Sequence, residues 1–216
     1  MAAQGDAQYS DEIVLLNDFA NRVREGRSSL PGPLPRFLFE TLPSLATFSS
    51  PENLIRVAKW GELPPETQSL FGMYASLVGP EAPTGQQLFE DLFYRFFFIH
   101  ELAHWLARPK NEPTSATHSG ERRYTCEENA NRVAVAYWRA RDPSFLRTTL
   151  ERMGAIRARL GNPVPAGEEA QDYFDNHYQE LGDNPSAYGW FQLGMVLDVA
   201  AENPAPDFVS LIKDDA

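Results

Sequence analysis

The chain has 216 residues, of which 43% are hydrophobic and 23% charged, a composition that is typical of a soluble globular domain and excludes an intrinsically disordered protein. A net charge of −11, from 19 basic and 30 acidic side chains, argues against nucleic acid as a direct partner, because contact with phosphates requires positive charge. The single cysteine excludes an internal disulfide framework, and no apolar run is long enough for a signal peptide or a membrane span. We therefore expect a cytoplasmic protein without a membrane partner.

The first third of the chain alternates helical patterns with a proline-rich stretch. Hydrophobic residues at helical spacing predict a helix over 9–24. Four prolines interrupt residues 27–50, so we expect a wrapping loop there, with at most a short helix at about 35–42. Proline at the first helical position predicts two further helices, one over 51–60 and one that begins at Pro64.

The middle of the chain begins with a helix-capping pattern. Thr84 and Gln87 match the capping box, in which the two side chains satisfy each other's free backbone donors. From this cap the sequence predicts one helix to about Ala107. The apolar run 92–99 would also suit a buried strand, but the cap before it and the histidines at helical spacing after it favour a helix. A polar loop is expected over 108–120.

The remainder of the chain again predicts helices, over 121–141, 142–160, 168–181 and 184–201. Two of them begin with an N-cap residue followed by proline, a combination that is typical of helix starts. The sequence therefore predicts a mainly α fold of about eight helices with little or no β-sheet. We expect one domain over 1–216, composed of an N-terminal part, a part with the candidate site and a C-terminal part: 1–83, 84–141 and 142–216.

The run His100-Glu101-Leu102-Ala103-His104 matches the pattern H-E-x-x-H. On a helix the two histidines lie on one face, so both imidazoles can bind the same metal ion, and the glutamate can act as a general base beside it. Apolar residues on both sides indicate that this helix is buried, where unpaired polar groups would be costly. Zn²⁺ bound by His100 and His104 explains the pattern best.

A catalytic zinc site requires a third protein ligand, and a second helix downstream offers one. Glu127 and Asn131 are four residues apart, so the carboxylate can bind the metal while the amide accepts a hydrogen bond from a ligating histidine. Glu128 is the alternative. Its partner at the same spacing is Arg132, which suits an ion pair on the solvent side, and we therefore predict Glu127 as the ligand.

The two motifs together resemble those of the gluzincin metallopeptidases, in which a distal glutamate is the third ligand. The segment Glu127-Glu128-Asn129-Ala130-Asn131-Arg132-Val133-Ala134 is similar to the corresponding helix of the ImmA/IrrE metallopeptidase family. The resemblance covers two helices. It implies a zincin-like fold, a bound zinc ion and, for the second family, cytoplasmic peptidases that act on repressor-type regulators.

From these residues we expect a zinc-dependent peptidase whose substrate is a peptide or protein. Glu101 would act as general base towards a water that zinc acidifies. The oxyanion formed during hydrolysis needs a further donor, for which His177, Tyr178 and Tyr188 are candidates. Two other functions remain open: a regulatory or binding protein of the same fold with a structural zinc, and a metal-dependent hydrolase of a non-peptide amide.

Charge is distributed unevenly along the chain. Residues 161–216 contain one lysine and eleven acidic side chains. Such a region either forms solvated faces or flanks a cleft and attracts basic substrates. In the second case, added salt would weaken substrate binding.

Overall fold

The computed structural model describes residues 5–40, 45–79, 82–108 and 122–213. Helices make up 66% of it, which confirms the mainly α class. Its first helix, α1, spans Gly5–Gly26 and is longer at both ends than predicted. Within the described ranges, no helix combines the length and the apolar character that crossing a membrane requires.

The prediction for residues 35–60 was wrong, because a three-stranded sheet replaces both expected helices. Strands β1 (Arg36–Phe39), β2 (Ala46–Ser49) and β3 (Leu54–Val57) have the order β1-β3-β2. In the middle strand β3, which is parallel to β1 and antiparallel to β2, Leu54, Ile55 and Val57 are buried. Branched side chains at these positions pack well on a pleated surface, and this packing outweighs the helix-start signal of Pro51.

The predicted helix over 84–107 is present, with a wider turn in its middle. The capping box is confirmed, with the backbone N–H of Gln87 donating to the Thr84 hydroxyl over 3.1 Å. The helix then runs through α3 (Gly85–Phe89), a π-helical segment (Glu90–Phe96) and α4 (Phe97–Ala107). The apolar run is therefore helical, as predicted.

The other predicted helices are largely confirmed. A 3₁₀ turn (Trp60–Glu62) precedes α2, and the helix predicted over 168–181 is two short helices, α7 and α8, that meet at His177. The predicted loop over 108–120 lies almost wholly outside the described residues. The remaining helices have these bounds: α2 Pro65–Ser76, α5 Arg123–Arg141, α6 Pro143–Arg157, α7 Ala170–Asn176, α8 Tyr178–Gly182, α9 Pro185–Ala200 and α10 Phe208–Ile212.

Helix α4 lies at the centre of the fold. The sheet packs against it through β2 and β3, α1 and α5 contact it, and α5 in turn packs on α6 and α9. All of its residues except His104 and Ala107 are buried. The helix with H-E-x-x-H is therefore the buried helix that the sequence predicts, and it is held between the sheet and the C-terminal helices.

Candidate metal centre

The structure brings the three predicted ligands together. His100 and His104, one turn apart on α4, place their Nε2 atoms 3.0 Å from each other. The Oε2 atom of Glu127, on the neighbouring α5, lies 3.1 Å from Nε2 of His100 and 3.8 Å from Nε2 of His104. Helices α4 and α5 pack against each other, and Ala130 and Ala134 of α5 are almost fully buried.

The geometry of these donors fits a zinc ion. Tetrahedral coordination with bonds of about 2.0–2.1 Å separates neighbouring ligand atoms by about 3.3 Å, and the three distances lie on both sides of this value. Two imidazole nitrogens and one carboxylate oxygen are a common ligand set for zinc enzymes. Among the described residues, His100, His104 and Glu127 are the group of metal-binding side chains close enough to share one ion.

A hydrogen bond on the side of the ring opposite the other two predicted ligands fixes the orientation of His100. Its Nδ1 donates a hydrogen bond to Oδ1 of Asn131 over 2.8 Å, as predicted from the spacing of Asn131 and Glu127. Because the proton then resides on Nδ1, the lone pair of Nε2 faces Glu127 and His104 and is free for a metal. Asn131 is completely buried, so this arrangement has little freedom to change.

Gln192 of α9, which is not among the site residues predicted from the sequence, belongs to the same network. Its Nε2 donates to Glu127 over 2.7 Å, and its Oε1 accepts a hydrogen bond of 3.2 Å from the Asn131 amide. The Gln192 amide therefore connects Asn131, which orients His100, with Glu127, the predicted third ligand. The signal that would have identified Gln192 is its position as the only polar side chain in the apolar run 191–197.

Glu101 lies beside the ligand group and is only 7% exposed. Burial raises the pKa of its carboxyl, while the positive potential of His100 and His104 opposes this rise. The carboxylate accepts a hydrogen bond from the backbone N–H of Phe48 in β2. An edge strand of the sheet therefore holds the candidate general base in place.

Without an ion, His104 and Glu127 form a charged pair. Burial disfavours the imidazolium, but the contact with the Glu127 carboxylate outweighs it and raises the pKa of His104 to about 9. Burial likewise disfavours the charge on Glu127, and both histidines together hold the pKa of Glu127 well below its usual range. The pair is neutral overall, and a metal ion that binds the Glu127 carboxylate and the His104 imidazole would displace this proton.

Of the three oxyanion candidates, two tyrosines lie at the site. The hydroxyl of Tyr178 is 3.5 Å from Oε1 of Glu127, and the hydroxyl of Tyr188 accepts a hydrogen bond of 3.0 Å from Gln192. Burial raises the pKa of Tyr178 to about 12, so its phenol stays protonated and can donate. The structure does not bring His177 to the group: its ring stacks on Tyr173 and its Nδ1 donates to the Tyr173 carbonyl over 3.0 Å.

Glu128 points away from the ligand group. It forms an ion pair of 3.4 Å with Arg132, which also binds Glu202 in the turn after α9. This is the solvent-side ion pair that the spacing predicts. The structure thus separates the two adjacent glutamates, with Glu127 facing the histidines and Glu128 facing an arginine.

The ligand group opens into a cavity of about 780 Å³. Its lining includes His100, Glu101, His104 and Glu127, together with residues of β2, α2, the π-helical segment, α6 and α9. The residues that line it from 161–216 are all uncharged. The acidic side chains of the C-terminal region therefore do not line this cavity.

The chain was compared with known proteins in three ways. No model of a protein family matches it, and neither a curated protein nor a solved structure matches it. The resemblance to gluzincins thus rests on the two motifs and on the geometry described above.

Proposed function

We propose that this protein is a zinc-dependent metallopeptidase. The observation that supports the proposal most is the triangle of His100, His104 and Glu127, whose donor atoms all lie within 4.8 Å of one another and line a cavity. Glu101 lies in the same cavity, next to this triangle. A second carboxylate at this place has no role in a site that only stores a metal, whereas hydrolysis requires a base there.

Each residue near the triangle has a role in this proposal. When bound, a Zn²⁺ ion supplies Lewis acidity, which polarises a carbonyl group and acidifies water. Glu101, positioned by the Phe48 N–H, takes a proton from the attacking water and passes it to the leaving amine. The phenols of Tyr178 and Tyr188 are partly buried and protonated, so they can donate to the oxyanion that develops on the substrate. Asn131 and Gln192 keep His100 and Glu127 in their orientations.

A structural zinc site is the main alternative, and the geometry argues against it. Structural zinc normally has four protein ligands. Within the described part of the chain, only three side chains form the group, and His104 retains 20% exposure of its side chain towards the cavity. Inhibition or displacement assays with a small hydroxamate test this directly. A site that no hydroxamate reaches would support the structural alternative.

Metal content provides the first test. We expect purified wild-type protein to contain about one zinc ion per chain by elemental analysis, and Glu127→Ala to contain far less. Glu128→Ala is the matched control, because it removes the same group from the adjacent residue and should retain the metal. Loss of zinc in Glu128→Ala but not in Glu127→Ala would contradict the assignment.

Turnover provides the second test. We expect Glu101→Gln to retain zinc and its fold but to lose peptide hydrolysis by about 10²-fold or more, the usual contribution of a general base. Cleavage would be followed on an unbiased mixture of peptides by mass spectrometry. Wild-type activity in Glu101→Gln would show that another group acts as the base.

A further inference from the structure

The cavity extends along one face of the helix that carries the histidines. Phe93, Phe97, His100, His104 and Arg108 follow one another at intervals of three or four residues, and all five line the cavity. Side chains at this spacing lie on one face. The metal-binding histidines thus have an apolar neighbourhood on one side and a guanidinium group on the other.

The end of the cavity before the histidines is apolar. Phe71 of α2 lies 5.9 Å from Phe93, Phe93 lies 5.3 Å from Phe97, and Phe97 lies 5.7 Å from the ring of His100, all between ring centroids. The cavity lining also includes apolar residues of α2, the π-helical segment, α6, the turn after α6 and α9: Leu70, Tyr74, Leu92, Ile156, Leu160 and Leu193. This arm can hold a large apolar group directly beside the metal position.

The end after the histidines carries Arg108, which is held in place. Its Nη1 donates to Oδ1 of Asn53 over 3.2 Å, and the Asn53 amide in turn binds the carbonyls of Pro33 and Leu34. A Cβ at Gly32 would lie 2.5 Å from Nη2 of Arg108, so glycine makes room for the guanidinium. Among the described residues that line the cavity, Arg108 is the one arginine or lysine.

The geometry points to the substrate class. We propose that the cavity selects segments with a large apolar side chain on one side of the bond to be cleaved and a carboxylate on the other, recognised by Arg108. This inference rests on the proposed peptidase function. Arg108 follows the midpoint of the histidine pair by six residues, or about 9 Å along the helix. An extended peptide covers this distance in about three residues, so the carboxylate lies within about three residues of the cleaved bond.

Other charges in the cavity agree with this choice. The two acidic side chains in its described lining, Glu101 and Glu127, already have roles at the metal position. A basic group of a substrate would have only these two carboxylates to pair with, and it would compete with the metal for them. A carboxylate is therefore the charged group that the end with Arg108 recognises, by charge-assisted hydrogen bonds.

Quenched fluorescent heptapeptides test the inference. Each has an alanine background with phenylalanine at one position and glutamate, glutamine or lysine at another, and every set is made with a free and with an amidated C-terminus. Zinc-loaded wild-type protein should cleave peptides with phenylalanine and a carboxylate best, by about 10-fold or more in kcat/KM. The glutamate and free-terminus sets distinguish a side-chain carboxylate from a terminal one.

Three variants assign the preference to residues. Arg108→Gln should lower kcat/KM for carboxylate peptides by about 10- to 100-fold more than for glutamine peptides, and Arg108→Lys should restore part of this difference. Leu70→Trp should fill the apolar arm and reduce cleavage of phenylalanine peptides more than that of peptides containing only small residues. Arg147→Gln, on the exposed side of α6, is the matched control and should change neither.

The outcomes separate this inference from the proposed function. Cleavage without a carboxylate preference, or with a preference for lysine, would overturn the inference and leave the peptidase function standing. If no peptide is cleaved, the peptidase function fails, and calorimetric titration of Glu101→Gln with the same peptides decides the inference. If the carboxylate peptides bind and Arg108→Gln weakens this binding, the result supports the inference. If no peptide binds, the inference is overturned.

Discussion

The side-chain amide of Gln192 connects the two halves of the candidate metal centre. It donates to the Glu127 carboxylate and accepts from Asn131, which orients His100. Removing it would leave the buried side-chain N–H of Asn131 without this acceptor, at a cost of about 1–3 kcal/mol, and would take one hydrogen bond from the Glu127 carboxylate. Gln192 therefore controls the direction of two ligands at once, although it does not bind the metal itself.

We expect Gln192→Leu to weaken zinc binding by roughly 10- to 100-fold, the usual effect of losing a group that orients a ligand. Competition with a chromogenic chelator would measure the affinity. Ser186→Ala, at an exposed position of the same helix, should bind zinc like the wild type. Equal affinities of Gln192→Leu and wild type would mean that Gln192 only fills space.

Glu12 of α1 is a buried carboxyl group far from the metal ligands in sequence. It is only 3% exposed, and its Oε2 has no hydrogen-bond partner in the described structure. Burial, with repulsion from Asp11 and Glu90, raises the pKa of Glu12 to about 7. Since the folded state binds this proton more tightly than the unfolded chain, Glu12 destabilises the protein increasingly as pH rises from about 4.5 to 7.

We therefore expect Glu12→Gln to raise the free energy of unfolding at pH 8 by about 3 kcal/mol. At pH 4, where the Glu12 carboxyl is protonated in both states, the gain should disappear. Urea unfolding at the two pH values would measure the difference. A pH-independent effect of Glu12→Gln would contradict the raised pKa.

At the level of whole elements, strand β2 supports helix α4 through its backbone. Phe48 lies opposite Ile55 in the antiparallel pair with β3, and the neighbouring carbonyl of Leu45 accepts from Ala58 over 2.8 Å. In an antiparallel pair, the backbone groups of successive residues point alternately towards and away from the partner strand. Because Leu45 bonds to Ala58, directly after β3, and Phe48 follows Leu45 by three residues, the Phe48 N–H points away from β3, towards Glu101. The edge of the sheet thus orients the candidate general base.

Phe48→Pro would remove this one donor at an edge position, where a strand tolerates proline. We expect this variant to bind zinc normally and to lose hydrolysis by about 10-fold or more compared with Phe48→Ala, because only the proline variant leaves Glu101 without its backbone partner. Metal content and kcat would be measured for both. Equal kcat values would show that the N–H of Phe48 does not orient the base.

The elements that the sequence predicted well are those with local signals. The caps at Thr84, Asp142 and Asn184 each start a helix as predicted, because a cap depends only on residues within one turn. The sheet had no comparable signal, since four residues per strand are too few to show alternation. Leu54–Val57 became a strand because it pairs with residues before it in the chain, which no local pattern reveals.

For the molecule as a whole, the same distinction explains which parts of the site were predicted. His100 and His104, and also Glu127 and Asn131, are pairs within one helix, so their spacing shows that they share a face. Gln192 follows Asn131 by 61 residues, and Phe48 reaches the cavity from β2. These groups come together only because the sheet, α5 and α9 pack around α4. The residues of a single segment do not reveal this packing.

Metal binding should stabilise the molecule in a pH-dependent way. In the metal-free protein, the raised pKa of His104, about 9 against 6.5 in the unfolded chain, means that its contact with Glu127 stabilises the fold fully below about pH 6.5. This contribution is lost as pH rises to about 9. Zinc binds the neutral imidazole, so rising pH favours the bound form instead. The stabilisation that zinc provides should therefore grow between pH 6.5 and pH 9.

Thermal unfolding of zinc-loaded and chelator-treated protein at pH 6.5, 7.5 and 9 would test this expectation. We expect Tm of the metal-free protein to fall across the range and its difference from the Tm of the loaded protein to widen. The free energy of unfolding that zinc adds should reach about 4 kcal/mol where free zinc is a thousand times its Kd. His104→Ala removes both the pair and the ligand, so its Tm should respond weakly to zinc at every pH. If the increase in Tm that zinc causes in wild type were constant or became smaller as pH rises, zinc binding would not replace the charged pair of His104 and Glu127.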